Sequence, residues 1–302
     1  MFTHFTFKHL HWRRPTGPLP ALSPGIERLF VTAPDGSLEL LYAPPLPNPP
    51  TPPTSPAPTP LFFVHGGMHG GSHHPRFLRM VYATGMRELA DDVLAALRWV
   101  QEREGGREAV LVGHSSGGAV VQWLMSEGEV RAKGLVLVAV TPGYGAERIA
   151  QSWRDLDPWF VSRMICHLWH PNSPLAEQID EYAESFQDRA CPYESFVWAV
   201  DLMKPDRGES VMVLCAELDR IMRLPIMEDL AETYRTTYST MVRREQLQGA
   251  DAEVSPLPGE GDGDSVGHGV RYCVVPRSGH QLQNDASWEI GARKLLAFCE
   301  QL

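Results

Sequence analysis

The sequence predicts an α/β fold, in which a mostly parallel central sheet is covered by helices on both faces. Short runs of uniformly apolar residues, typical of strands buried on both faces, alternate with longer segments whose apolar residues recur at helical spacing. No internal repeat interrupts this alternation. The 302 residues are 43% hydrophobic, which is sufficient for a large core.

The predicted elements follow an irregular N-terminal arm, residues 1–25. Strands at residues 28–33 and 38–43 flank Pro-Asp-Gly, which is a hairpin signal. Residues 44–60 form a proline-rich linker, because proline cannot donate to a sheet. The remaining predictions are strands at residues 61–65, 109–113, 135–140, 211–216 and 270–275, and helices at residues 87–103, around Val120, Trp123 and Leu124, and at 286–301.

Two segments break the alternation of strands and helices. Residues 141–209 are too long and too aromatic for a loop, which predicts an inserted helical cap between core segments 26–140 and 210–302. The cap contains Trp153, Trp159, Trp169 and Trp198. Residues 248–269 are small, acidic and rich in glycine, so we expect a mobile surface loop there.

Composition excludes several classes of function. The net charge is -10 and the basic residues are scattered, so we expect no nucleic-acid partner. No apolar run is long enough to span a bilayer. An odd number of well-separated cysteines predicts a reducing compartment, the cytoplasm. They are Cys166, Cys191, Cys215, Cys273 and Cys299. Mitochondrial targeting is the alternative, because Lys8, Arg13 and Arg14 precede the first acidic residue, Glu27.

The motif with the most chemical content is LVGHSSGG, residues 111–118. It fits G-x-S-x-G between an apolar strand and a helix, and this context predicts a sharp turn that exposes Ser115 as a nucleophile. Ser116 is the rival hydroxyl. Counting from Ser116 puts the bulky His114 where the turn needs glycine, so Ser115 is favoured.

A nucleophilic serine needs a base, and the base needs a carboxylate that holds its tautomer. His280 follows the last predicted strand, in PRSGHQLQND, where a loop can bring it to Ser115. The acid is predicted in AELDRIM, which offers Glu217 and Asp219. Asp219 is favoured because it lies farther into the loop, and no carboxylate directly follows residues 135–140.

The set HGG, GHSSGG, AELDRIM and SGHQLQND resembles the α/β-hydrolase superfamily, and it is most similar to fungal-type members with a helical cap. The resemblance covers residues 26–302. It implies an α/β-hydrolase fold, a catalytic triad and an oxyanion hole. The implied triad is Ser115, Asp219 and His280, and the implied oxyanion donors are the backbone N–H groups of Gly66, Gly67 and Ser116.

The stretch LFFVHGGMHGGSHH, residues 61–74, allows two interpretations. Glycines at 66 and 67 let backbone N–H groups approach a carbonyl oxygen that becomes negative. His65 then orients the loop. A metal site is the weaker alternative, because no Asp or Glu with ligand spacing accompanies the histidines. These are His65, His69, His73 and His74.

One departure from the family pattern concerns residues 71–92. The family has a further strand after the oxyanion loop, and here only residues 77–83 could supply it. The sheet is therefore expected either to use residues 77–83 or to lack one central strand. If that strand is absent, we expect either that residues 38–43 pair directly beside residues 61–65 or that the protein is weak and poorly soluble, because an open apolar edge favours aggregation.

Together these features predict a serine hydrolase that cleaves an ester- or thioester-type acyl bond through an acyl-enzyme. The aromatic cap predicts a bulky, apolar small-molecule substrate. We expect no cofactor and no metal. Two alternatives stay open: a triad-dependent enzyme that cleaves or condenses carbon–carbon bonds, and a non-catalytic binding protein of the same fold. The sequence also leaves open the acyl group, the leaving group and the oligomeric state.

Overall fold

The structure is a computed structural model that describes residues 21–34, 36–44, 58–66, 86–143 and 210–302. In chain order its elements are β1 Glu27–Ala33, β2 Gly36–Tyr42, β3 Leu61–Val64, α1 Met86–Arg103, β4 Val110–His114, α2 Ser116–Ser126, β5 Gly134–Val138, β6 Val211–Ala216, α3 Leu224–Arg243, β7 Ser255–Pro256, β8 Ser265–Gly267, β9 Val270–Val275, a 3₁₀ turn Leu282–Asn284 and α4 Trp288–Cys299. None of the helices in these ranges is long and apolar enough to cross a membrane.

The first of two compact units contains β1, β2 and residues 86–100 of α1. β1 and β2 pair antiparallel, which confirms the predicted hairpin. Arg28 and Glu39 on the two strands form an ion pair with an Nε–Oε1 distance of 2.5 Å. α1 confirms the predicted helix. It buries the row Ala90, Leu94, Leu97 and Val100.

The second unit contains a seven-stranded sheet in the order β3-β4-β5-β6-β9-β8-β7. The first five strands in this order are parallel, and β8 and β7 extend the sheet antiparallel. Every residue of β4, β5 and β6 is buried. These strands are apolar on both faces, as expected for a parallel sheet covered by helices.

Three helices of the second unit follow strands of the sheet. α2 contacts β3 and β4, α3 contacts β6 and β9, and α4 contacts β9. α4 approaches the sheet closely at Gly291, where an added Cβ would lie 3.3 Å from Val275 Cγ2. We did not predict α3, although its buried residues recur at helical spacing. They include Met227, Leu230, Tyr234, Tyr238 and Met241.

The parallel strands determine where a site can form. β4, β6 and β9 run in the same direction, so their carboxyl ends meet at one edge of the sheet. Ligand sites of open α/β sheets form at this edge. Ser115 follows β4, Asp219 follows β6 and His280 follows β9. The topology therefore places the three predicted residues on one edge.

Residues 248–269, predicted as a mobile surface loop, contain two short strands. β7 and β8 pair there, and β8 also pairs with β9. Lys294 of α4 donates to the Asp264 carboxylate and to the Glu260 carbonyl oxygen, and Arg271 pairs with Glu260 at 3.2 Å. Buried ion pairs thus hold a segment whose composition alone predicts mobility.

The question of a missing central strand concerns the edge of the sheet at β3. β3 lies at the edge of the sheet as the structure describes it, with β4 as its hydrogen-bonded neighbour. The pairing of residues 38–43 with β3, one of the two outcomes expected if that strand is absent, is not found, because β2 pairs with β1 in a separate two-stranded sheet. Residues 77–83 lie outside the described residues. β4, which carries the serine, has a neighbour on each side.

Candidate active site

The turn between β4 and α2 holds Ser115 in an uncommon backbone conformation, with φ 53° and ψ −127°. Positive φ is rare for residues other than glycine and persists where surrounding contacts enforce it. The Ser115 N–H donates to the Val138 carbonyl oxygen at 3.1 Å. The Ser115 carbonyl oxygen accepts from the N–H groups of Gly118 and Thr141, both at 3.1 Å. Three backbone hydrogen bonds therefore hold the turn.

The glycines of the motif are required by close backbone approach. A Cβ on Gly113 would lie 2.5 Å from the Cα of Gly118. A Cβ on Gly117 would collide with the carbonyl oxygens of Val64 and His65. The sequence expectation of small flanking residues at this turn thus has a direct steric cause.

Ser115, His280 and Asp219 form a continuous hydrogen-bonded series, which we call the active-site chain. The Ser115 Oγ lies 3.1 Å from His280 Nε2. The other ring nitrogen, His280 Nδ1, lies 2.8 Å from Asp219 Oδ2. Because a carboxylate only accepts, Nδ1 carries the hydrogen and Nε2 is the acceptor for the serine hydroxyl. This is the tautomer that a general base needs.

The Asp219 carboxylate is fully buried, and both of its oxygens have donors. Oδ2 faces His280, whereas Oδ1 accepts from the N–H groups of Ile221 at 2.7 Å and Met222 at 3.0 Å. Burial opposes the charged form of a carboxylate, and hydrogen bonds to the charged form favour it. The turn after β6 thus supplies the donors that a buried anion needs.

Glu217, the alternative acid, bonds to the loop that carries His280, which we call the base loop. Its side chain is directed to the base loop, where Oε2 accepts from the Arg277 N–H at 2.6 Å. Glu217 is exposed, whereas Asp219 is buried. The structure therefore brings Asp219, rather than Glu217, into the active-site chain.

The loop that carries His280 is fixed by its neighbours. The Leu218 N–H donates to the Ser278 carbonyl oxygen at 2.8 Å. The Gly279 N–H donates to the Asp285 carboxylate at 2.8 Å. This bond from Gly279 lowers the pKa of Asp285. The base loop is therefore hydrogen-bonded both to the loop that carries Asp219 and to the segment that precedes α4.

Of the residues predicted for the oxyanion hole, Gly66 and Ser116 are described and Gly67 lies outside the described residues. A Cβ on Gly66 would lie 2.6 Å from the Ser115 Cβ, so no side chain fits between them. Ser116 is the first residue of α2. The N-terminus of a helix carries partial positive charge and favours an anion. Gly66 and the start of α2 therefore both place main-chain atoms next to Ser115.

The family whose model is described as alpha/beta hydrolase fold matches residues 67–168, which include the G-x-S-x-G turn. The topology and the turn geometry above agree with that match. The chain has an α/β-hydrolase fold. No curated protein sequence matches it.

Solved α/β-hydrolase structures resemble this chain at low sequence identity. One is the Pyrococcus horikoshii acylaminoacyl peptidase, 13% identical, with a TM-score of 0.54 over 91% of this chain and 40% of the peptidase. Another is carboxyl esterase 2 of Tuber melanosporum, 12% identical, with a TM-score of 0.53 over 92% of this chain and 87% of the esterase. A thermostable carboxyl esterase of Bacillus coagulans gives 12%, 0.53, 92% and 98% in the same order. The chain thus spans about 40% of the peptidase's length.

Of the histidines in the metal alternative, the structure describes His65. The His65 Nδ1 lies 2.9 Å from the Gly66 carbonyl oxygen, so it is a donor in that contact. His69, His73 and His74 lie outside the described residues. Elsewhere in the described ranges, ligand atoms of Glu260, Asp264 and Cys273 lie within 4.8 Å of one another.

That second group is an ion-pair network. Asp264 pairs with Lys294, and Glu260 pairs with Arg271. The Cys273 thiol donates to Glu260 at 3.7 Å, and burial raises the pKa of that thiol. Both carboxylates are thus neutralised by side-chain cations, and the thiol stays protonated.

Sequence reasoning missed two polar residues beside the active-site chain. His114 donates from Nε2 to the His280 carbonyl oxygen at 2.9 Å. Gln122, in the second turn of α2, donates to the carbonyl oxygens of Gly118 and Thr141, each at 3.0 Å. A signal was present for both, because each is a polar residue within an otherwise apolar, buried segment.

Gln122 also accepts a hydrogen bond from the Gly143 N–H at 3.2 Å. Thr141 and Gly143 are the first residues after β5, where the predicted cap at residues 141–209 begins. Residues 144–209 lie outside the described residues. Gln122 therefore fixes the entry to this segment against the same helix that begins at Ser116.

Proposed function

We propose that the protein is a serine hydrolase that cleaves an ester- or thioester-type acyl bond through a covalent acyl-enzyme. The observation that carries this proposal is the active-site chain, in which the two ring nitrogens of His280 face different partners. One nitrogen is free of the carboxylate and can accept the serine proton. The other is held by Asp219, which fixes the tautomer and stabilises the imidazolium.

In the acylation step, His280 Nε2 takes the hydroxyl proton of Ser115 while Oγ attacks the acyl carbonyl carbon. The carbonyl oxygen becomes negative in the tetrahedral intermediate. The bond to the leaving group then breaks, and Nε2 returns the proton to the leaving oxygen or sulfur. An acyl group remains on Ser115. A 3.1 Å separation between Oγ and Nε2 is within reach for this proton transfer.

Deacylation repeats the same steps with water. His280 Nε2 takes a proton from water, and the resulting hydroxide attacks the acyl carbon. The tetrahedral intermediate collapses, the bond to Ser115 Oγ breaks, and Nε2 returns the proton to Oγ. The free carboxylic acid leaves, and the active-site chain is restored.

The negative oxygen in both steps needs donors. Backbone N–H groups of Gly66, Gly67 and Ser116 are proposed for this role. Support comes from the exclusion of any side chain between Gly66 and Ser115, and from the start of α2 at Ser116. Removing one such donor typically costs about 2.7–4 kcal/mol of transition-state stabilisation.

The proposed substrate is a bulky, apolar small molecule. The aromatic residues between 141 and 209 support this, and Gln122 anchors the start of that segment. Among the structurally similar proteins named above, two are carboxyl esterases and one is an acylaminoacyl peptidase. These names fit an enzyme that acts on acyl bonds.

The proposal is tested with a fluorophosphonate probe, which reacts with activated serines. We expect stoichiometric labelling at Ser115, loss of labelling in Ser115→Ala, and full labelling in Ser239→Ala, a buried serine of α3. A panel of chromogenic esters and thioesters then measures turnover. A folded protein that does not react with the probe supports the binding-protein alternative. Labelling without turnover of any panel substrate supports the carbon–carbon alternative.

A further inference from the structure

The residue immediately before Ser115 has a buried polar side chain that reaches another loop of the site. His114 is the last residue of β4 and is 7% exposed. Its Nε2 lies 2.9 Å from the carbonyl oxygen of His280. The two imidazole rings are 5.0 Å apart between centroids and tilted by 43°. The strand that carries the nucleophile thus also contacts the base residue.

The hydrogen bond defines the tautomer of His114. A carbonyl oxygen only accepts, so His114 Nε2 must carry the hydrogen. This bond fixes the backbone of His280, whereas Ser115 and Asp219 fix its ring. The other bonds of the base loop act at Arg277, at Ser278 and at Gly279.

The His114 ring also lies beside the glycine that faces the serine. A Cβ on Gly66 would lie 3.1 Å from His114 Nδ1 and 3.1 Å from its carbonyl oxygen. The ring therefore lies next to the proposed oxyanion segment and is hydrogen-bonded to the base loop. One side chain is thus close to both parts that must stay in register with Ser115.

We propose that His114 is a positioning residue that holds His280 at its proton-transfer distance from Ser115, an inference that rests on the proposed function. The role needs the donor at Nε2, and it needs no contact with substrate. Loss of this donor lets the base residue shift relative to the serine. A misplacement of about 1 Å can cost on the order of 100-fold in rate.

The test compares two substitutions that differ in the position of one N–H donor. In His114→Gln the amide nitrogen reaches the place of Nε2, and in His114→Asn it stops near the place of Nδ1. We expect His114→Asn to lower kcat by on the order of 100-fold with little change in KM. We expect His114→Gln to restore most of the loss. His268→Gln, at a partly buried histidine outside the active site, is the matched control and should keep full kcat.

A double-mutant cycle separates positioning from general stability. If His114 acts through His280, adding His114→Asn to His280→Ala should cause no further loss of the residual rate. The inference is overturned if the Asn variant keeps full kcat, if Gln and Asn variants are equally impaired, or if His114→Asn costs as much in the His280→Ala background as alone. A wild-type protein that neither labels nor turns over substrate overturns the proposed function, and this inference with it.

The tautomer of His114 can be measured on the wild-type protein, so this test does not depend on the folding of any variant. Nitrogen-15 NMR of the histidine side chains should show His114 as the Nε2–H tautomer, with a proton that is protected from exchange with water. Observation of the Nδ1–H tautomer at His114 contradicts the proposed hydrogen bond.

Discussion

A second group of serine, histidine and aspartate lies in the same compact unit, and it differs from the active-site chain in its connections. Ser239 of α3 donates to the Asp251 carboxylate, and its Oγ lies 2.9 Å from His268 Nδ1. His268 Nδ1 also lies 2.9 Å from Asp251 Oδ1. The three contacts therefore join only three atoms, which are one hydroxyl oxygen, one ring nitrogen and one carboxylate oxygen. In the active-site chain, by contrast, the histidine uses a different nitrogen for each partner.

The two groups also differ in backbone conformation and in the burial of their side chains. Ser115 sits at a turn with φ 53°, whereas Ser239 lies inside a helix and is buried. The Asp219 side chain is fully buried and the Asp251 side chain is 38% exposed. Residue composition therefore does not make a proton-transfer site. Such a site needs an exposed nucleophile, a histidine with two separate partners and a sequestered carboxylate.

The largest expected difference between the two groups lies at the serines. Ser115→Ala should lower ester turnover by on the order of 10⁶-fold, because no nucleophile remains. Ser239→Ala should leave turnover unchanged and lower only stability, because the hydroxyl contacts with Asp251 and His268 are lost. Steady-state kinetics and thermal unfolding of both variants provide the check. Equal turnover in both would remove Ser115 from its proposed role.

The carboxylates should differ by a smaller factor. Asp219→Asn keeps the shape but can no longer hold His280 in the required tautomer, so kcat should fall by on the order of 10⁴-fold. Asp251→Asn and Glu217→Gln should retain nearly full kcat. The measurement is kcat of the three purified variants with one chromogenic ester. A larger loss in Glu217→Gln than in Asp219→Asn would move the acid to Glu217.

The space around Ser115 gives a third prediction. Gly66→Ala puts a Cβ 2.6 Å from the Ser115 Cβ, which must displace the serine or the glycine segment. We expect kcat/KM to fall by about 100-fold or more. Gly128→Ala is the control, because nothing lies within 4 Å of its added Cβ and its φ of +71° affects only stability. Equal activity in the two variants would show that the tight fit at Gly66 is not required.

The smallest expected effect concerns pH. A protonated His280 cannot accept the serine proton, because a general base must be neutral. We therefore expect kcat/KM to fall on acidification.

The second group should respond at lower pH and in stability alone. The hydrogen bond from Ser239 lowers the pKa of Asp251 from its ordinary value of 3.8. The unfolded chain then binds more protons near pH 3.8, so this stabilisation is present above that pH and is lost as the pH falls below it. Asp251→Asn should flatten the acid side of a plot of Tm against pH without moving the activity profile. An activity profile that shifts in Asp251→Asn would link the two groups.

Much of the site could be predicted because local patterns and topology agree. The strand–turn–helix context identified Ser115, and the position of His280 after the last parallel strand brought it to the same edge. The choice between Glu217 and Asp219 depends on the N–H groups of Ile221 and Met222, whose directions are set by the turn and leave no compositional signal.

Other features depend on contacts between distant parts of the chain. Residues 248–269 have the composition of a loop, but the cations that hold them come from β9 and α4. The hydrogen bond from His114 to His280 joins residues 166 positions apart. α3 was missed although its apolar spacing was present in the sequence.

The most direct test of the account is the mass of the covalent intermediate. The protein is mixed briefly with an activated chromogenic ester, quenched in acid, digested and analysed by peptide mass spectrometry. We expect one acyl group per molecule on the peptide that contains Ser115, with no acyl group on the peptide that contains Ser239. A protein that hydrolyses the ester while its acyl group is found on another residue, or on none, would contradict the account.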